Sequence, residues 1–207
     1  MHAHLSNGDF AKEITMNRAF TEGSPWTYLF CIMQDIPGFI ELIGGKEAFI
    51  TKLDENFNQK HYRHDNEPGH HYIYLYNYIG QPWKAQKLIS EVLDSKYHNS
   101  PDGLSGNDDC GQMSAWYIFS SMGFYPVTPG TDLYAIGKPL FKKVTINLDN
   151  GKTFTIQANN LTDENQYVKS IKLDGKLLDK PFIRHSDILG HKLLEFEMQA
   201  EPGNLEK

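Results

Sequence analysis

The sequence predicts an α+β fold in which helical hairpins come first and an antiparallel β region follows. Before residue 130 the apolar residues recur every three to four positions, as on one face of a helix. After residue 130 they alternate with polar residues, as in a half-buried strand. Pro126, Pro129 and Gly130 mark the change. We therefore predict a helical domain over residues 20–129 and a β region over residues 130–207, with residues 1–19 unassigned.

The helical part is predicted to contain five helices joined by short polar connections. Their apolar stretches are residues 26–33, 49–57, 70–78, 85–92 and 113–122. Gly80-Gln81-Pro82 ends the third helix and starts the fourth, because glycine terminates helices and proline is tolerated in a first turn. Five helices with such short connections are typical of stacked helical hairpins.

The β region contains two turn sequences between alternating segments. Asp149-Asn150-Gly151-Lys152 separates residues 144–148 from residues 154–156, and an Asn-Gly pair at that place predicts a hairpin. Asp174-Gly175-Lys176 predicts a second hairpin after residues 168–173. Residues 193–198 are predicted to form the last strand, so the region reads as antiparallel β, most simply part of a sandwich.

Charge and composition exclude some partners. The net charge is −6 and no basic cluster exceeds two residues, so neither a nucleic acid nor an anionic membrane is an expected partner. No apolar run approaches the length that spans a bilayer. The first ten residues have neither the basic nor the apolar part of a secretory signal peptide. Cys31 and Cys110 are too few for a disulfide framework, and both are predicted to be buried free thiols.

Three polar segments interrupt the helical part. The first, here called the Glu22 segment (residues 20–28), places Glu22 between Phe20 and Trp26 near a predicted helix start. A carboxylate there could cap the helix. Alternatively, the aromatic surroundings could raise its pKa and keep it protonated as a general acid.

The second, the Asn66 segment (residues 64–71), is rich in His, Asp, Asn and Glu. The spacing does not match a zinc site, because no cysteine takes part and no His-Glu-x-x-His order occurs. The oxygen donors of Asn66 and Glu67 suit Ca²⁺ or sugar hydroxyls. The alternative is a solvated loop in which Asn66 caps the following helix.

The third, the Asp109 segment (residues 106–112), has adjacent aspartates at a helix start. Asp108 and Asp109 could act only as caps. Alternatively, one carboxylate could hold a metal or orient its neighbour while the other activates water. Gly106 and Gly111 flank the pair and would let the backbone approach a ligand closely.

Four motifs together resemble glycoside hydrolase family 92, a family of Ca²⁺-dependent, inverting α-mannosidases. They are Thr-Glu-Gly-x-x-Trp-x-Tyr (residues 21–28), Asn-Glu-Pro-x-His-His (66–71), Leu-Tyr-Asn-Tyr-x-Gly-x-Pro-Trp-Lys-x-Gln (75–86) and Gly-Asn-Asp-Asp-Cys-Gly-Gln-Met-Ser-Ala-Trp-Tyr (106–117). The resemblance runs from about residue 20 to the end of the chain. It implies that residues 20–129 are part of an (α/α)6 barrel, and that the N-terminal portion of the enzyme is missing from this chain.

The resemblance also implies roles for individual residues. Glu22 falls on the general acid and Asp109 on the general base, and Asn107 stands where some members carry an Asp that assists the base. The residues expected to contact the sugar are Trp26, Glu67, His70 and Asp108. The residues expected to bind Ca²⁺ are Asn66, Glu67 and Asp109.

The implied reaction is exo-acting hydrolysis of α-linked mannose, with α-1,2 the linkage commonest in the family and mannose-containing glycans the substrates. Inversion requires the two carboxyl groups to be roughly 6.5–9.5 Å apart, with room for a water. An extracellular or periplasmic location is expected. Two alternatives remain: a non-catalytic carbohydrate-binding module and an inactive truncated remnant. The isolated chain is expected to be weakly active at best and to expose apolar surface around Trp26, Tyr76 and Trp116.

Overall fold

The computed structural model describes residues 20–205 together with Asn7 and Asp9, so the unassigned segment 1–19 lies almost wholly outside the described residues. The helices are α1 (Pro25–Leu29), α2 (Ile36–Ile43), α3 (Lys46–Asn58), α4 (Leu75–Tyr78), α5 (Pro82–Lys96), α6 (Gln112–Met122) and α7 (His185–Gly190). Three 3₁₀ turns add Glu67–Gly69, Tyr72–Tyr74 and Asp109–Gly111. The strands are β1 (Phe124–Tyr125), β2 (Leu133–Ile136), β3 (Lys143–Asn147), β4 (Thr153–Asn159), β5 (Tyr167–Leu173), β6 (Lys176–Leu177), β7 (Phe182–Arg184) and β8 (Leu193–Gln199).

The first predicted helix is confined to α1 in the structure, and α2 follows it at a place where no helix was predicted. α1 ends at Leu29, and α2 begins after Asp35, whose carboxylate accepts a hydrogen bond from the Gly38 amide at 3.0 Å. The Ile36-Pro37-Gly38 sequence looks like a break in a helix, but proline is compatible with the first turn. Glycine fits there because a Cβ at Gly38 would lie 2.2 Å from the Asp35 carboxylate.

The third predicted helix is divided into two short segments in the structure. A 3₁₀ turn at Tyr72–Tyr74 leads directly into the four residues of α4. Nearly every side chain in this stretch is buried, so it has no solvent-facing side and lies inside the helical core. Gly80-Gln81-Pro82 does separate this stretch from α5, as predicted, and α3, α5 and α6 match their predicted apolar stretches.

The apolar surface expected to be exposed around Tyr76 and Trp116 is instead packed inside the helical core. Trp116 is 0% exposed and Tyr76 is 2% exposed, because both pack within one cluster that joins the helices to β1 and β2. The large apolar side chains that are exposed in the described part of the chain lie elsewhere, and two of them, Leu140 and Phe141, are adjacent: Leu42, Leu104, Ile118, Leu140, Phe141, Leu177 and Leu189. Scattered residues of this kind are normal on a folded surface and do not predict association.

The strands form two sheets. β1, β2 and β7 make a three-stranded antiparallel sheet, and the second sheet has the order β3-β4-β8-β5-β6. The two predicted hairpins are present as the antiparallel pairs β3–β4 and β5–β6. One pair departs from the antiparallel prediction. β8 lies between β4 and β5 and runs parallel to β4, because the chain leaves the sheet through β7 and α7 before it returns.

Buried polar contacts join the helices to the strands. The Gln86 side-chain oxygen on α5 accepts a hydrogen bond from the Val168 amide at 2.9 Å, and the Asn77 amide group on α4 donates to the Ile136 carbonyl at 2.6 Å. Hydrogen bonds between buried groups are costly to leave unmade. The β region is therefore a fixed support for the helices that carry the polar segments.

Replacing Gly123 by alanine is expected to destabilise the fold by about 1–2 kcal/mol, the cost of a left-handed backbone at a residue with a Cβ. Gly123 ends α6 with φ 99°, and its Cβ would lie 3.1 Å from the Phe196 ring. Urea denaturation measures the effect. Gly190→Ala is the matched control, since a Cβ there meets nothing within 4 Å. Equal stability of the two variants would contradict the argument.

Candidate active site

Glu22 does not cap a helix. It lies two residues before Ser24, the residue that precedes α1, and its own backbone is left-handed with φ 55°. The amide of Ser24 donates its hydrogen bond to the Thr27 hydroxyl at 3.0 Å and not to the Glu22 carboxylate. The Glu22 side chain is exposed, and its carboxyl group makes no hydrogen bond or ion pair within the described part of the chain. The capping interpretation is therefore wrong for Glu22.

The backbone around Glu22 is held from two directions. The Tyr28 hydroxyl donates to the Thr21 carbonyl, and the Asn66 side-chain amide donates to the Glu22 carbonyl at 3.2 Å. The second bond spans 44 residues of sequence and brings the Asn66 segment against the Glu22 segment. Asn66 therefore does not cap the turn that follows it, in contrast to the solvated-loop alternative.

Trp26 already has partners in the chain. Its ring stacks on His61 with centroids 4.3 Å apart, and the Lys52 ammonium lies 4.9 Å from the ring centroid. The neighbouring aromatic pair, Phe20 and Tyr28, is stacked with centroids 6.0 Å apart. Trp26 thus packs α1 against α3, and its predicted contact with a sugar stays a prediction.

His64 is the centre of a buried hydrogen-bond chain. Its Nε2 lies 2.7 Å from the Tyr97 hydroxyl, which donates to the Met113 carbonyl at 3.1 Å. Because the Tyr97 proton is used there, His64 Nε2 must be the donor, and Nδ1 accepts from Tyr62 at 2.8 Å. Burial and the neighbouring His70 lower the pKa of His64 to about 3. The neutral ring therefore ties the Asn66 segment to α6.

His70 is buried and does not face solvent, with 1% of the residue exposed. Its Nε2 donates to the His64 carbonyl at 3.0 Å, while its Nδ1 lies 3.4 Å from the Gln112 amide nitrogen. Its carbonyl accepts from Trp116 Nε1 at 3.0 Å. With both ring nitrogens engaged, His70 is placed to position Gln112, and its predicted contact with a sugar stays a prediction.

Asp108 and Asp109 have different surroundings. Both carboxylate oxygens of Asp108 accept from Ser114, one from its amide at 3.0 Å and one from its hydroxyl at 2.6 Å. These bonds lower the pKa of Asp108. The capping alternative thus accounts for these bonds of Asp108, and its predicted contact with a sugar stays a prediction. Asp109 is exposed, and its carboxylate has no hydrogen-bond partner among the residues described.

The backbone after Asp109 is open and conformationally unusual. Cys110 has φ 54°, Gly111 has φ 75°, and a Cβ added at Gly111 would meet nothing within 4 Å. Left-handed non-glycine residues concentrate at functional sites. Cys110 is exposed and Cys31 half-buried, so both thiols are free as predicted but Cys110 is not buried.

Close packing joins the Asp109 segment to the Asn66 segment. A Cβ at Gly106 would lie 2.3 Å from the Asp65 carbonyl, so the glycine admits neighbouring backbone rather than a ligand. Asn107, which stands where an assisting Asp is found in some members of the family that the sequence resembles, is exposed. Through Gly106 and Gln112 on one side and Asn66 on the other, the three polar segments converge on one region. The site prediction missed Gln112, whose side chain lies beside His70, and it missed Tyr28 and Ser114, which make hydrogen bonds within the Glu22 segment and to Asp108.

The fit to a metal ion is partial. Within residues 20–205, no group of three or more His, Cys, Asp and Glu side chains is arranged to hold a metal. Asn66 donates through its nitrogen, which leaves its side-chain oxygen available, and Glu67 is half-buried. The chain therefore offers individual oxygen donors of the kind that Ca²⁺ prefers, and not a complete set. Among the helices described, none is long and apolar enough to cross a membrane.

Comparison with a protein-family model identifies the relatives of this chain. The model of the glycosyl hydrolase family 92 catalytic domain matches residues 1–200. The match includes residues 1–19, for which the sequence motifs gave no similarity. A protein from Arthroderma benhamiae named as an uncharacterized secreted glycosidase is 31% identical, covering 87% of this chain and 24% of its own length.

Solved structures agree with the family model. A family GH92 α-mannosidase from Bacteroides thetaiotaomicron is 42% identical with a TM-score of 0.88, covering 98% of this chain and 28% of its own. The same mannosidase has been solved with mannoimidazole. A family GH92 inverting mannosidase from that organism is 34% identical with a TM-score of 0.83, covering 97% of this chain and 32% of its own. The chain therefore spans about a quarter to a third of the length of these relatives.

Proposed function

Because the chain belongs to glycosyl hydrolase family 92, we propose that it supplies the acid–base pair of an inverting, exo-acting α-mannosidase. The observation that carries the proposal is the convergence of the three polar segments, with Asn66 bonded to the Glu22 backbone and Gly106 packed on Asp65. The carboxyl groups of Glu22 and Asp109 are exposed, and neither has a hydrogen-bond partner among the residues that the structure describes.

The proposed mechanism is a single displacement. Glu22, protonated, donates its proton to the leaving glycosidic oxygen. Asp109, ionised, takes a proton from the water that attacks the opposite face of the sugar ring. A separation of roughly 6.5–9.5 Å between the two carboxyl groups would leave room for that water, whereas retaining enzymes have about 5–5.5 Å.

The proposed substrates are mannose-containing glycans, N-glycans among them, with terminal α-1,2-linked mannose. Two relatives from Bacteroides thetaiotaomicron are named mannosidases, one of them inverting, which supports the sugar and the stereochemistry. An extracellular or periplasmic location is proposed, with support from the relative named as secreted. Since the chain covers only 24–32% of these relatives, we propose that the rest of the active site lies outside it, in the N-terminal portion of the enzyme.

We propose Ca²⁺ as the cofactor, held in part by Asn66, Glu67 and Asp109. These residues supply carboxylate and amide oxygens, the ligands that a hard cation takes in sets of six to eight. When bound, the ion would hold mannose hydroxyl groups. The remaining ligands would come from other parts of the enzyme, because the described residues contain no complete cluster.

Removal of Ca²⁺ is expected to abolish hydrolysis of α-1,2-mannobiose and of an aryl α-mannoside by the full-length enzyme. The measurement compares initial rates before and after exhaustive treatment with EDTA. Adding back Ca²⁺ restores the rate, while Mg²⁺, which demands six ligands at shorter distances, restores less of it. Full activity after chelation would refute the cofactor assignment.

The same assay separates the alternative functions. A carbohydrate-binding module would bind the mannosides, as measured by calorimetry, without hydrolysing them. An inactive remnant would neither bind nor hydrolyse them. Hydrolysis that depends on the carboxyl groups of Glu22 and Asp109 supports the enzyme.

A further inference from the structure

We propose that Tyr28 and Asn66 form a backbone clamp that aims the Glu22 carboxyl group, which makes Tyr28 a positioning residue for proton donation. This inference rests on the proposed role of Glu22 as general acid. It adds a function for the Tyr28 hydroxyl, whose hydrogen bond goes to the Thr21 backbone carbonyl.

The clamp holds the two peptide groups on either side of the Glu22 Cα. Tyr28 donates to the Thr21 carbonyl, which belongs to the peptide group before Glu22. Asn66 donates to the Glu22 carbonyl, which belongs to the peptide group after it, at 3.2 Å. Because φ and ψ are the rotations that relate these two planes, fixing both planes fixes the direction of the Cα–Cβ bond.

Glu22 needs such restraint because its backbone is left-handed. With φ 55°, it adopts a conformation that is sterically unfavourable in a residue with a Cβ. A segment free to relax would return to negative φ and turn the side chain away. Strain of this kind persists only where surrounding contacts enforce it.

The two residues that form the clamp, Tyr28 and Asn66, both belong to well-packed parts of the fold. Tyr28 lies on α1, and the carbonyl of its neighbour Thr27 accepts a hydrogen bond from the buried Tyr72. Asn66 precedes the 3₁₀ turn at Glu67–Gly69, whose Gly69 packs on the Arg63 carbonyl. The backbone of Glu22 is thus held by one hydrogen bond from α1 and one from the Asn66 segment. Loss of either bond leaves this backbone free to move.

The dependence of the rate on the leaving group reports specifically on whether Glu22 is correctly oriented to donate its proton. A general acid matters most when the leaving oxygen is a poor leaving group, because that oxygen must be protonated as the bond breaks. A 2,4-dinitrophenolate leaves without protonation. Misdirection of Glu22 therefore slows hydrolysis of mannobiose and leaves hydrolysis of 2,4-dinitrophenyl α-mannoside almost unchanged. A general loss of structure slows both.

The test is Tyr28→Phe in the full-length enzyme, with Tyr134→Phe as matched control. Tyr134, on β2, is also half-buried, and its hydroxyl lies 3.1 Å from His185 Nδ1. We expect Tyr28→Phe to lower kcat on α-1,2-mannobiose by about 10- to 100-fold, the size of effect that small misplacements produce, with little change in KM. On the dinitrophenyl substrate we expect less than about a twofold change, and Tyr134→Phe to leave both rates intact.

Two kinetic results would overturn the inference: equal losses on the two substrates, and no loss on either. Wild-type enzyme without mannosidase activity would instead refute the proposed function. The clamp is then tested without activity, by a crystal structure of the Tyr28→Phe variant. Departure of Glu22 from positive φ supports the clamp, and retention of its left-handed conformation overturns it.

Discussion

Replacing Asp109 with asparagine is expected to lower kcat on α-1,2-mannobiose by about 10²- to 10⁴-fold, the usual contribution of a general base or acid. Asparagine keeps the size of the side chain and cannot accept the proton of the attacking water. The effect is expected on every α-mannoside, because water attack is required whatever the leaving group. Steady-state kinetics of the full-length enzyme measures it, and Asp149→Asn, in the exposed turn between β3 and β4, is the control.

Glu22→Gln is expected to cause a loss of the same size on mannobiose and a much smaller loss on 2,4-dinitrophenyl α-mannoside. The contrast follows from the roles proposed for the two residues, since only the poor leaving group needs a proton from Glu22. If either variant retains wild-type turnover on mannobiose, that residue is not part of the acid–base pair. If the two variants show the same dependence on leaving group, their roles are not those of acid and base.

The second large expected effect is a loss of stability at mildly acidic pH that depends on His71. Its Nε2 donates to the Phe30 carbonyl at 2.8 Å in the buried core. Burial, and to a smaller extent the neighbouring His70, lower the pKa of His71 to about 4 from an ordinary value of 6.5. The unfolded chain therefore binds a proton at higher pH than the folded protein does. The contribution of His71 is complete above pH 6.5 and is lost as the pH falls from 6.5 toward 4.

Between pH 6.5 and pH 5 this one group is expected to remove at most about 2 kcal/mol from the free energy of unfolding, since one pKa unit corresponds to about 1.4 kcal/mol. Urea denaturation at pH 7.5, 6.5 and 5 measures the change. His71→Gln keeps an N–H donor and cannot be protonated, so its stability is expected to fall less steeply over the same range. Identical slopes for the variant and the wild-type protein would contradict the prediction.

The sequence predicted the helices that have one buried face. α3, α5 and α6 repeat their apolar residues at helical spacing, and Gly44, Gly80 and Gly123 mark helix ends or connections. α2 was missed because Pro37 and Gly38 imitate a break, and its start depends on the Asp35 carboxylate. The stretch at Tyr72–Tyr74 was misjudged because a segment buried on all sides has no period to read.

The direction of β8 could not be predicted from the sequence, for a different reason. Alternating residues predict a strand and its two faces, but they do not identify the neighbouring strands. β8 pairs with β4 and β5, whose positions are set by the path of the chain through β7 and α7. The hairpins could be predicted because their turns are local sequences.

The candidate site likewise combines residues that sequence motifs indicate with contacts that depend on the folded structure. Glu22, Asn66 and Asp109 could be proposed as site residues from the sequence because their motifs are contiguous, and their roles stay predictions. The contacts that join them were not, because the Asn66–Glu22 bond spans 44 residues and the fit of Gly106 depends on the distant backbone of Asp65. The burial of His70 likewise follows from packing against Trp116 and not from the motif that contains it.

The anomeric form of the first mannose released tests the central claim most directly. Proton NMR follows the full-length enzyme as it hydrolyses an α-mannoside, before mutarotation mixes the two anomers. An acid and a base separated by a water, as proposed for Glu22 and Asp109, release β-mannose first. Release of α-mannose would mean a retaining double displacement and would contradict the account.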